Sequence, residues 1–306
     1  MSEQNPISHQ FHPTPLGWLT ENLTRFTQIK LEGEDNLTTA QQWLARGGSL
    51  IVYFLPHSWI FDPALITQYA INPYLYAINP YLNEEGARPM AWLTSIKFTG
   101  GLTGVKPFNR IERAGAQQFA NRQHFLQLPI VQKYLITPEN EAAAHQMNFR
   151  SIRHAIRILK AGGIVGASPE GTRGKTGGLL RANDGIELLL KCPRAAALPV
   201  VLSVGRFFNR YFSRFSPDSS VELRIGNLIN YQQAESLTEL YFWKDEQRGI
   251  FTVADALMMH AVDNTLPIRK PGVDPYGEYS WKRIGIHWDR IVKPDSTPPV
   301  ADLAGL

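Results

Sequence analysis

The sequence predicts an α/β fold in which a mixed, largely parallel central sheet is flanked by helices. The run Leu50 to Leu55 is apolar throughout, which is typical of a strand covered on both faces, and Gly162 to Gly171 holds a second short apolar strand that stops at a turn. The chain also carries apolar residues at helical spacing, most clearly from Glu141 to Lys160. Strands that alternate with helices are the pattern of an α/β sheet.

The N-terminal part precedes the first of these strands. Trp18, Leu23, Phe26 and Ile29 mark one face of a short helix, which either packs on the sheet or lies in a bilayer interface. The first residues lack a basic region followed by an apolar stretch, so no secretory signal is expected. Because no stretch of about 18 consecutive apolar residues occurs, any membrane association is expected to be peripheral.

A helix from Thr38 to Arg46 leads into the Leu50 to Leu55 strand, and polar residues follow that strand closely. Ligands of open α/β sheets collect at the carboxyl ends of strands, which is where His57 lies. Histidine titrates near neutral pH and suits a general base, and the carboxylate of Asp62 can orient the ring and stabilise its charged form. The alternative is that Asp62 caps a helix that starts at Pro63, with His57 a hydrogen-bonded loop residue.

The next segment is expected to bring an arginine to the same edge of the sheet. Val105 to Phe108 predicts a short strand that delivers Arg110 beside His57. The alternative is a surface ion pair between Arg110 and Glu112. The predicted helices that follow are Gln117 to Leu126, Ile130 to Ile136 and Glu141 to Lys160.

A glycine-rich turn follows the second apolar run. Glycines at positions 162, 163, 166 and 171 let the backbone approach a ligand closely. Thr172 supplies a hydroxyl, and Arg173 supplies a planar guanidinium suited to phosphate or carboxylate. The alternative is an ordinary surface turn on which Arg173 pairs with Glu170.

The remaining elements continue the alternation, and one stretch between them is basic and aromatic. The predictions are a helix over Ile186 to Cys192, strands over Ala197 to Val204 and Val221 to Ile225, and a helix over Thr252 to Val262. Gly205 to Phe215 interleaves arginines with aromatic rings, which suits an anionic membrane interface. Packing of the rings under an exposed arginine row is the alternative.

The composition agrees with one large globular domain. The chain has 306 residues, 43% of them hydrophobic and 19% charged, which is enough to bury a full core. A net charge of +4 fits an anionic surface or phosphorylated substrates but is too slight to indicate nucleic acid. The single cysteine, Cys192, excludes an intramolecular disulfide and fits a reducing compartment. The sequence contains no metal-ligand cluster and no dinucleotide fingerprint.

Four blocks occur along the sequence in the order His57-Ser-Trp-Ile-Phe-Asp62, Phe108-Asn-Arg110, Pro169-Glu-Gly-Thr-Arg173 and Leu198-Pro-Val-Val-Leu202. Together and in this order, they resemble the glycerolipid acyltransferase family, which includes 1-acylglycerol-3-phosphate and glycerol-3-phosphate acyltransferases. The chain departs from the family at Pro56, where asparagine is usual, and at Ser168, where phenylalanine is common. Its segment from Ile111 to Ala161 is also longer than the family's connection between the second and third blocks.

The resemblance implies transfer of a fatty acyl group from acyl-CoA or acyl-carrier protein to the hydroxyl of a phosphorylated glycerol acceptor, lysophosphatidic acid first. His57 is then the general base and Asp62 orients it. The acceptor is held by Arg110, Glu170, Gly171, Thr172 and Arg173. No metal and no cofactor is implied beyond the donor's own carrier, and the enzyme is expected to be cytoplasmic and peripheral to an anionic membrane surface.

A catalytic core is accordingly expected over residues 48–230 of a single domain, 1–306. A helical lead-in (1–47) precedes the core, and a helical extension and tail (231–306) follow it. Other functions stay open at this point. The acceptor can be glycerol 3-phosphate or another alcohol. A thioester or ester hydrolase would use His57 and Asp62 with water, and a non-catalytic lipid-binding module would keep the pocket without needing the base.

Overall fold

The computed structural model describes residues 28–55, 63, 66–71, 75, 90–108, 110–122, 125–169, 171, 182–183, 185–204, 220–240, 244–245, 249–250 and 252–265. Its strands are β1 (Gln28–Glu32), β2 (Ser49–Leu55), β3 (Met90–Ser95), β4 (Leu126–Ile130), β5 (Ile164–Ala167), β6 (Ala195–Val204), β7 (Ser220–Ile225), β8 (Ile229–Asn230), β9 (Lys244–Asp245) and β10 (Gly249–Ile250). Its helices are α1 (Glu34–Ala45), α2 (Ile96–Thr99), α3 (Arg110–Arg122), α4 (Glu141–Lys160), α5 (Gly185–Leu190), α6 (Tyr231–Leu240) and α7 (Val253–Thr265). A π-helical turn covers Thr67–Ile71, and a 3-10 turn covers Lys133–Leu135.

The described residues form an eight-stranded mixed sheet. Seven of its strands lie in the order β1-β7-β6-β2-β5-β3-β4, and β8 pairs with β6 beside β7. From β6 to β4 all neighbours are parallel, whereas β7 and β8 run antiparallel to β6, and β1 is parallel to β7. The predicted α/β fold with a largely parallel sheet is confirmed.

The centre of the sheet is β2, every residue of which is buried. Ile51, Tyr53 and Leu55 point to one face, where they share a core with α4, α5 and α7. Leu50, Val52 and Phe54 point to the other face, which packs against α1, the π-helical turn and Ala120 of α3. We name these the α4 face and the α1 face. Helices on both sides explain why the strand is apolar throughout instead of alternating.

Pro199 lies in the middle of β6 although proline has no N–H to donate. One side of β6 pairs with β2, and on the other side its neighbour changes from β8 at Ala197 to β7 at Val200. Gly226, between those two neighbours in sequence, donates its N–H to the Pro199 carbonyl at 2.9 Å. Because the N–H and C=O of one strand residue point to the same side, the missing N–H falls on this break.

Four sequence predictions are wrong. The segment Ile130 to Ile136, predicted as a helix, forms the last residue of β4 and a 3-10 turn over Lys133–Leu135. Residues 105–108 form no strand and instead lie in the loop between α2 and α3. Leu126, predicted as the end of a helix, begins the edge strand β4, which pairs with β3. Ile29, predicted on a helix face, lies in β1 opposite Val221 of β7. Short apolar runs fit either a strand or a helix, and here pairing with a distant strand decides.

The long segment from Ile111 to Ala161 contributes to the main body of the fold. It supplies the edge strand β4, and its helix α4 has the predicted limits, Glu141–Lys160. Ala155, Ile158 and Leu159 of α4 are buried on the sheet. The division into a lead-in (1–47), a core (48–230) and an extension (231–306) stays a prediction. None of the helices in the described residues combines the length and the apolar character needed to cross a membrane.

Candidate functional site

The first and third sequence blocks follow two neighbouring strands. β2 and β5 are parallel and hydrogen-bonded, with Tyr53 opposite Ala167, so both strands end at the same edge of the sheet. β6, which contains the fourth block, is the other neighbour of β2, with Pro199 opposite Tyr53. We name this edge, where β2, β5 and β3 end, the carboxyl edge. His57 and Asp62 of the first block lie outside the described residues.

The second block is tied to the end of β3, the next strand beyond β5. The N–H of Phe108 donates to the Lys97 carbonyl at 2.9 Å, two residues past the end of β3. The rings of Phe98 and Phe108 pack with their centroids 4.7 Å apart. These contacts fold the loop after α2 back onto the carboxyl edge, and α3 begins immediately after it.

Arg110 is the first residue of α3, and its side chain is exposed. The N-terminus of a helix carries unpaired N–H groups and a partial positive charge, both of which favour an anion. A guanidinium adds a planar pair of donors that fits phosphate or carboxylate. The local structure around Arg110 is therefore suited to an anionic group, as the sequence predicts for this residue. The side chain of Glu112, its alternative partner, lies outside the described ones.

A tight turn follows β5. The N–H of Gly171 donates to the Ser168 carbonyl at 3.1 Å, and Asn183 donates to the Pro169 carbonyl from its backbone N–H at 2.7 Å and from Nδ2 at 3.1 Å. Gly171 has a φ of +65°, and a Cβ on it would lie 2.6 Å from Nδ2 of Asn183. Only glycine fits this position without strain or displacement.

Helix α7 holds the far end of the same segment, although it comes much later in sequence. The carboxylate of Asp255, which is 1% exposed, accepts the N–H of Ala182 at 3.3 Å with Oδ1. Its Oδ2 accepts the N–H of Thr252 at 3.2 Å, and Oγ1 of Thr252 accepts the N–H of Asp255 at 3.2 Å, a reciprocal cap of α7. Tyr53 of β2 donates its hydroxyl to the Leu257 carbonyl at 3.1 Å. α7 is thus bonded both to β2 and to the segment that follows Gly171.

Three polar atoms near the carboxyl edge are buried without a hydrogen-bond partner among the described residues. They are Oγ1 of Thr94 in β3, Oγ of Ser168 after β5, and Nε of Arg113 in the first turn of α3. Buried polar groups are usually hydrogen-bonded, because leaving one unpaired costs free energy. These three atoms are therefore candidates for a hydrogen bond to a ligand.

The predicted site residues divide into two sets. Arg110 and Gly171 are described, at the first residue of α3 and in the turn after β5. His57, Asp62, Glu170, Thr172 and Arg173 lie outside the described residues, as does the basic and aromatic stretch 205–215.

No sequence motif pointed to Thr94, Arg113 or Asp255 as residues of the candidate site. Of these three residues, only Arg113 could have been found from the sequence. Residues three apart on a helix lie on the same side, and Arg113 is three residues after Arg110. Within the described part of the chain, no group of three or more His, Cys, Asp or Glu side chains is placed to hold a metal ion. The cofactor prediction stays a prediction.

No protein-family model and no curated protein matches the sequence. Among solved structures, the chain is similar to the 1-acyl-sn-glycerophosphate (LPA) acyltransferase PlsC from Thermotoga maritima. The identity is 17% and the TM-score 0.39, over 71% of this chain and 69% of that chain. At these values the likeness carries no argument about the residues or substrates of this chain.

Proposed function

We propose that the protein is an O-acyltransferase that moves a fatty acyl group from a thioester donor to the hydroxyl of a phosphorylated glycerol acceptor. Lysophosphatidic acid is the acceptor we favour, and glycerol 3-phosphate or another alcohol is the alternative. The donor is acyl-CoA or acyl-carrier protein. The reaction needs no metal and no further cofactor.

One observation carries the proposal: the strands that lead into the sequence blocks end together. β2 and β5 are adjacent, parallel and in register, β6 flanks β2, and the loop before Arg110 is bonded next to the end of β3. The strands that precede the first and third blocks therefore end at a single edge of the sheet, and α/β proteins bind their ligands at such an edge, which supports the proposal. His57 is only two residues beyond β2, a reach of about 7 Å at most.

The proposed chemistry uses His57 as general base. The acceptor hydroxyl attacks the thioester carbonyl carbon while His57 takes its proton, and Asp62 orients and stabilises the imidazolium. The tetrahedral oxyanion then collapses, the carbon–sulfur bond breaks, and the leaving thiolate takes the proton from His57. An ester and a free thiol result, so no covalent acyl-enzyme is required.

The acceptor phosphate is assigned to arginines. Arg110 stands exposed at the start of α3, and Arg173 follows the turn that Gly171 forms. Two guanidinium groups and a helix N-terminus suit a dianionic phosphate. Thr172 adds a hydroxyl donor. Glu170 would repel phosphate, so we assign it to an arginine or to a glycerol hydroxyl.

We further propose that the enzyme works in the cytoplasm on an anionic membrane surface. Its lipid acceptor resides there, and the 205–215 stretch combines arginines with aromatic rings. Sedimentation with vesicles tests this: binding to anionic vesicles that salt releases is expected, whereas equal binding to neutral vesicles contradicts it.

The decisive experiment is an acceptor screen with an isotope-labelled acyl thioester, read by mass spectrometry of the lipid products. Label in a phosphorylated glycerolipid supports the proposal and identifies the acceptor. Label found only as free fatty acid, with every acceptor, would make the protein a hydrolase. Retention of the intact thioester under all conditions would favour a binding module.

A further inference from the structure

We propose that Thr94 and Ser168 form a hydroxyl subsite that hydrogen-bonds the glycerol oxygens of the acceptor, beside the arginines that bind its phosphate. The inference rests on the proposed function and adds to it the residues that would recognise the neutral part of the substrate.

The two residues lie near the carboxyl ends of neighbouring strands. The last pair between β3 and β5 is Trp92 opposite Gly166, and Thr94 in β3 and Ser168, which directly follows β5, each lie two residues further along. Side chains two apart in a strand point to the same face, so Thr94 lies on the α1 face, as Trp92 does. Adjacent strands are about 4.8 Å apart, which is close enough for two hydroxyls to contact one ligand.

The inner end of this subsite is closed by an aromatic ring. Trp92 packs directly over Gly166, where a Cβ would lie 2.2 Å from the indole. The indole Nε1 in turn donates to the hydroxyl of Thr67 at 3.1 Å. Thr94 and Ser168 lie on the other side of this ring in sequence, two residues nearer to the carboxyl edge than Trp92 and Gly166.

Neighbouring hydroxyls are paired, which makes these two unusual. Ser95 donates to Oε1 of Gln132 at 2.9 Å, Ser151 to the Pro129 carbonyl at 2.7 Å, and Thr67 to the Pro63 carbonyl at 2.7 Å. Oγ1 of Thr94 and Oγ of Ser168 are buried and have no partner in the described part of the chain. A ligand oxygen that pairs with them removes a cost that the free protein carries.

The chemistry of the pair selects the class of ligand. A hydroxyl both donates and accepts, so two of them suit the alcohol or ester oxygens of a glycerol backbone. A phosphate dianion is better bound by the cationic donors of Arg110. Ser168 is also the position at which the chain departs from the phenylalanine common in the family it resembles, so the hydroxyl is a property of this chain.

The test uses Thr94→Val, Ser168→Ala and the double variant, with Ser151→Ala as the matched control. Binding of glycerol 3-phosphate and of inorganic phosphate is measured by calorimetric titration, and thermal unfolding by scanning calorimetry. Each subsite variant should weaken glycerol 3-phosphate binding by roughly 2- to 10-fold and leave inorganic phosphate binding unchanged. Their Tm should stay level or rise, because the lost hydroxyls are unpaired, whereas Ser151→Ala should lower Tm and leave both affinities unchanged.

Each other outcome overturns the inference. Equal weakening of the binding of both ligands would mean that the hydroxyls bind phosphate or support the fold. Unchanged affinities would mean that the hydroxyls contact neither ligand. A fall in Tm like that of Ser151→Ala would show that the hydroxyls are bonded within the protein or to a structural water. Absence of glycerol 3-phosphate binding to the wild type also refutes the subsite. The proposed function fails separately, if the subsite behaves as expected but no acceptor receives the acyl label.

Discussion

Among the residues that the structure describes, the two edges of the parallel strands differ in how completely their polar groups are paired. At the amino edge, where β2, β5 and β6 begin, Ser49 donates its N–H to the Arg194 carbonyl at 2.9 Å and Leu50 to the Gly163 carbonyl at 3.1 Å. Nε1 of Trp43 adds a bond to the Ser49 carbonyl at 3.1 Å. The hydrogen bonds there join the starts of adjacent strands to one another and to α1.

The polar groups at the carboxyl edge are less completely paired in the described part of the chain. The hydroxyls of Thr94 and Ser168 are buried and have no partner among the residues that the structure describes. Gly171 has a left-handed φ, and Arg110 is exposed at a helix N-terminus. We therefore expect one edge of the sheet to stabilise the fold and the other to bind the ligand. Substitutions at the amino edge should change stability alone, and substitutions at the carboxyl edge should change activity first.

The largest expected effect is that of His57→Ala, two residues after the end of β2 in sequence. Removal of a general base should lower kcat by about 10²–10⁴-fold. The Tm should stay close to that of the wild type, because the strand β2 ends before this residue. Single-turnover kinetics with a labelled thioester and scanning calorimetry measure the two quantities.

The matched control for His57→Ala is Ser49→Ala at the other end of β2. Its hydroxyl donates to the Arg194 carbonyl at 3.4 Å, so the variant should lose some stability and keep the wild-type kcat. Activity of His57→Ala within a factor of two of the wild type would remove the base from the mechanism.

The second effect concerns the phosphate. Arg110→Lys and Arg173→Lys keep the charge but lose the planar pair of donors, at about 1.5–3 kcal/mol for a charge-assisted bond. The acceptor KM should rise roughly 10- to 150-fold and the donor KM should hardly change, if binding is near equilibrium. Steady-state kinetics with donor and acceptor varied independently separate the two constants.

Arg194→Lys is the control at the amino edge. Its guanidinium donates to the Arg46 carbonyl and is exposed there, so neither KM should respond to its replacement. An acceptor KM that is unchanged in both phosphate variants would mean that Arg110 and Arg173 do not bind the acceptor.

The sequence predicts the elements of both edges better than their pairing. β2 and β5 are recognisable as continuous apolar runs, and α4 has its predicted limits because its apolar residues recur at helical spacing. The position of β5 beside β2 depends on contacts between residues more than a hundred apart, which no local pattern encodes. β1 and β4 were missed for the same reason, since each becomes a strand only by pairing with β7 or β3.

The residues of the candidate site also differ in how far the sequence predicts them. Arg110 and Gly171 stand out in the sequence because a guanidinium and a glycine have distinctive chemistry within a motif, and their role as site residues stays a prediction. Thr94 and Ser168 have no such signature. Their interest comes from burial without a partner, which only three-dimensional packing reveals.

The third effect compares one glycine at each edge. A Cβ on Gly48 would lie 2.3 Å from Nε1 of Trp43, so Gly48→Ala should displace the indole and lower the free energy of unfolding by about 1–3 kcal/mol. Gly171→Ala should cost about 1–2 kcal/mol for its left-handed φ of +65° and should also distort the turn that leads to Arg173.

Activity per folded molecule distinguishes the two glycine variants. Denaturant unfolding gives the stability of each, and kinetics at a temperature well below both midpoints gives the activity. Gly48→Ala should keep wild-type kcat/KM, whereas Gly171→Ala should lose most of it. Equal losses of activity in the two variants would end the distinction between the edges.

The smallest effect lies at the amino edge and depends on pH. Burial raises the pKa of the Cys192 thiol above its ordinary value, and Lys160 opposes this only in part. In the unfolded chain the thiol ionises near pH 8.5, while in the folded protein it keeps its proton to higher pH. The folded state then binds more protons than the unfolded state, so the thiol's contribution to stability is present below about pH 8.5 and is lost as pH rises through the folded pKa.

Denaturant unfolding of the wild type from pH 7 to pH 10 should show this decline, and Cys192→Ala should show a shallower one. Because Cys192 precedes β6 at the amino edge, the two proteins should have the same pH profile of kcat, and a shifted alkaline limb in the variant would contradict the assignment of Cys192 to stability alone.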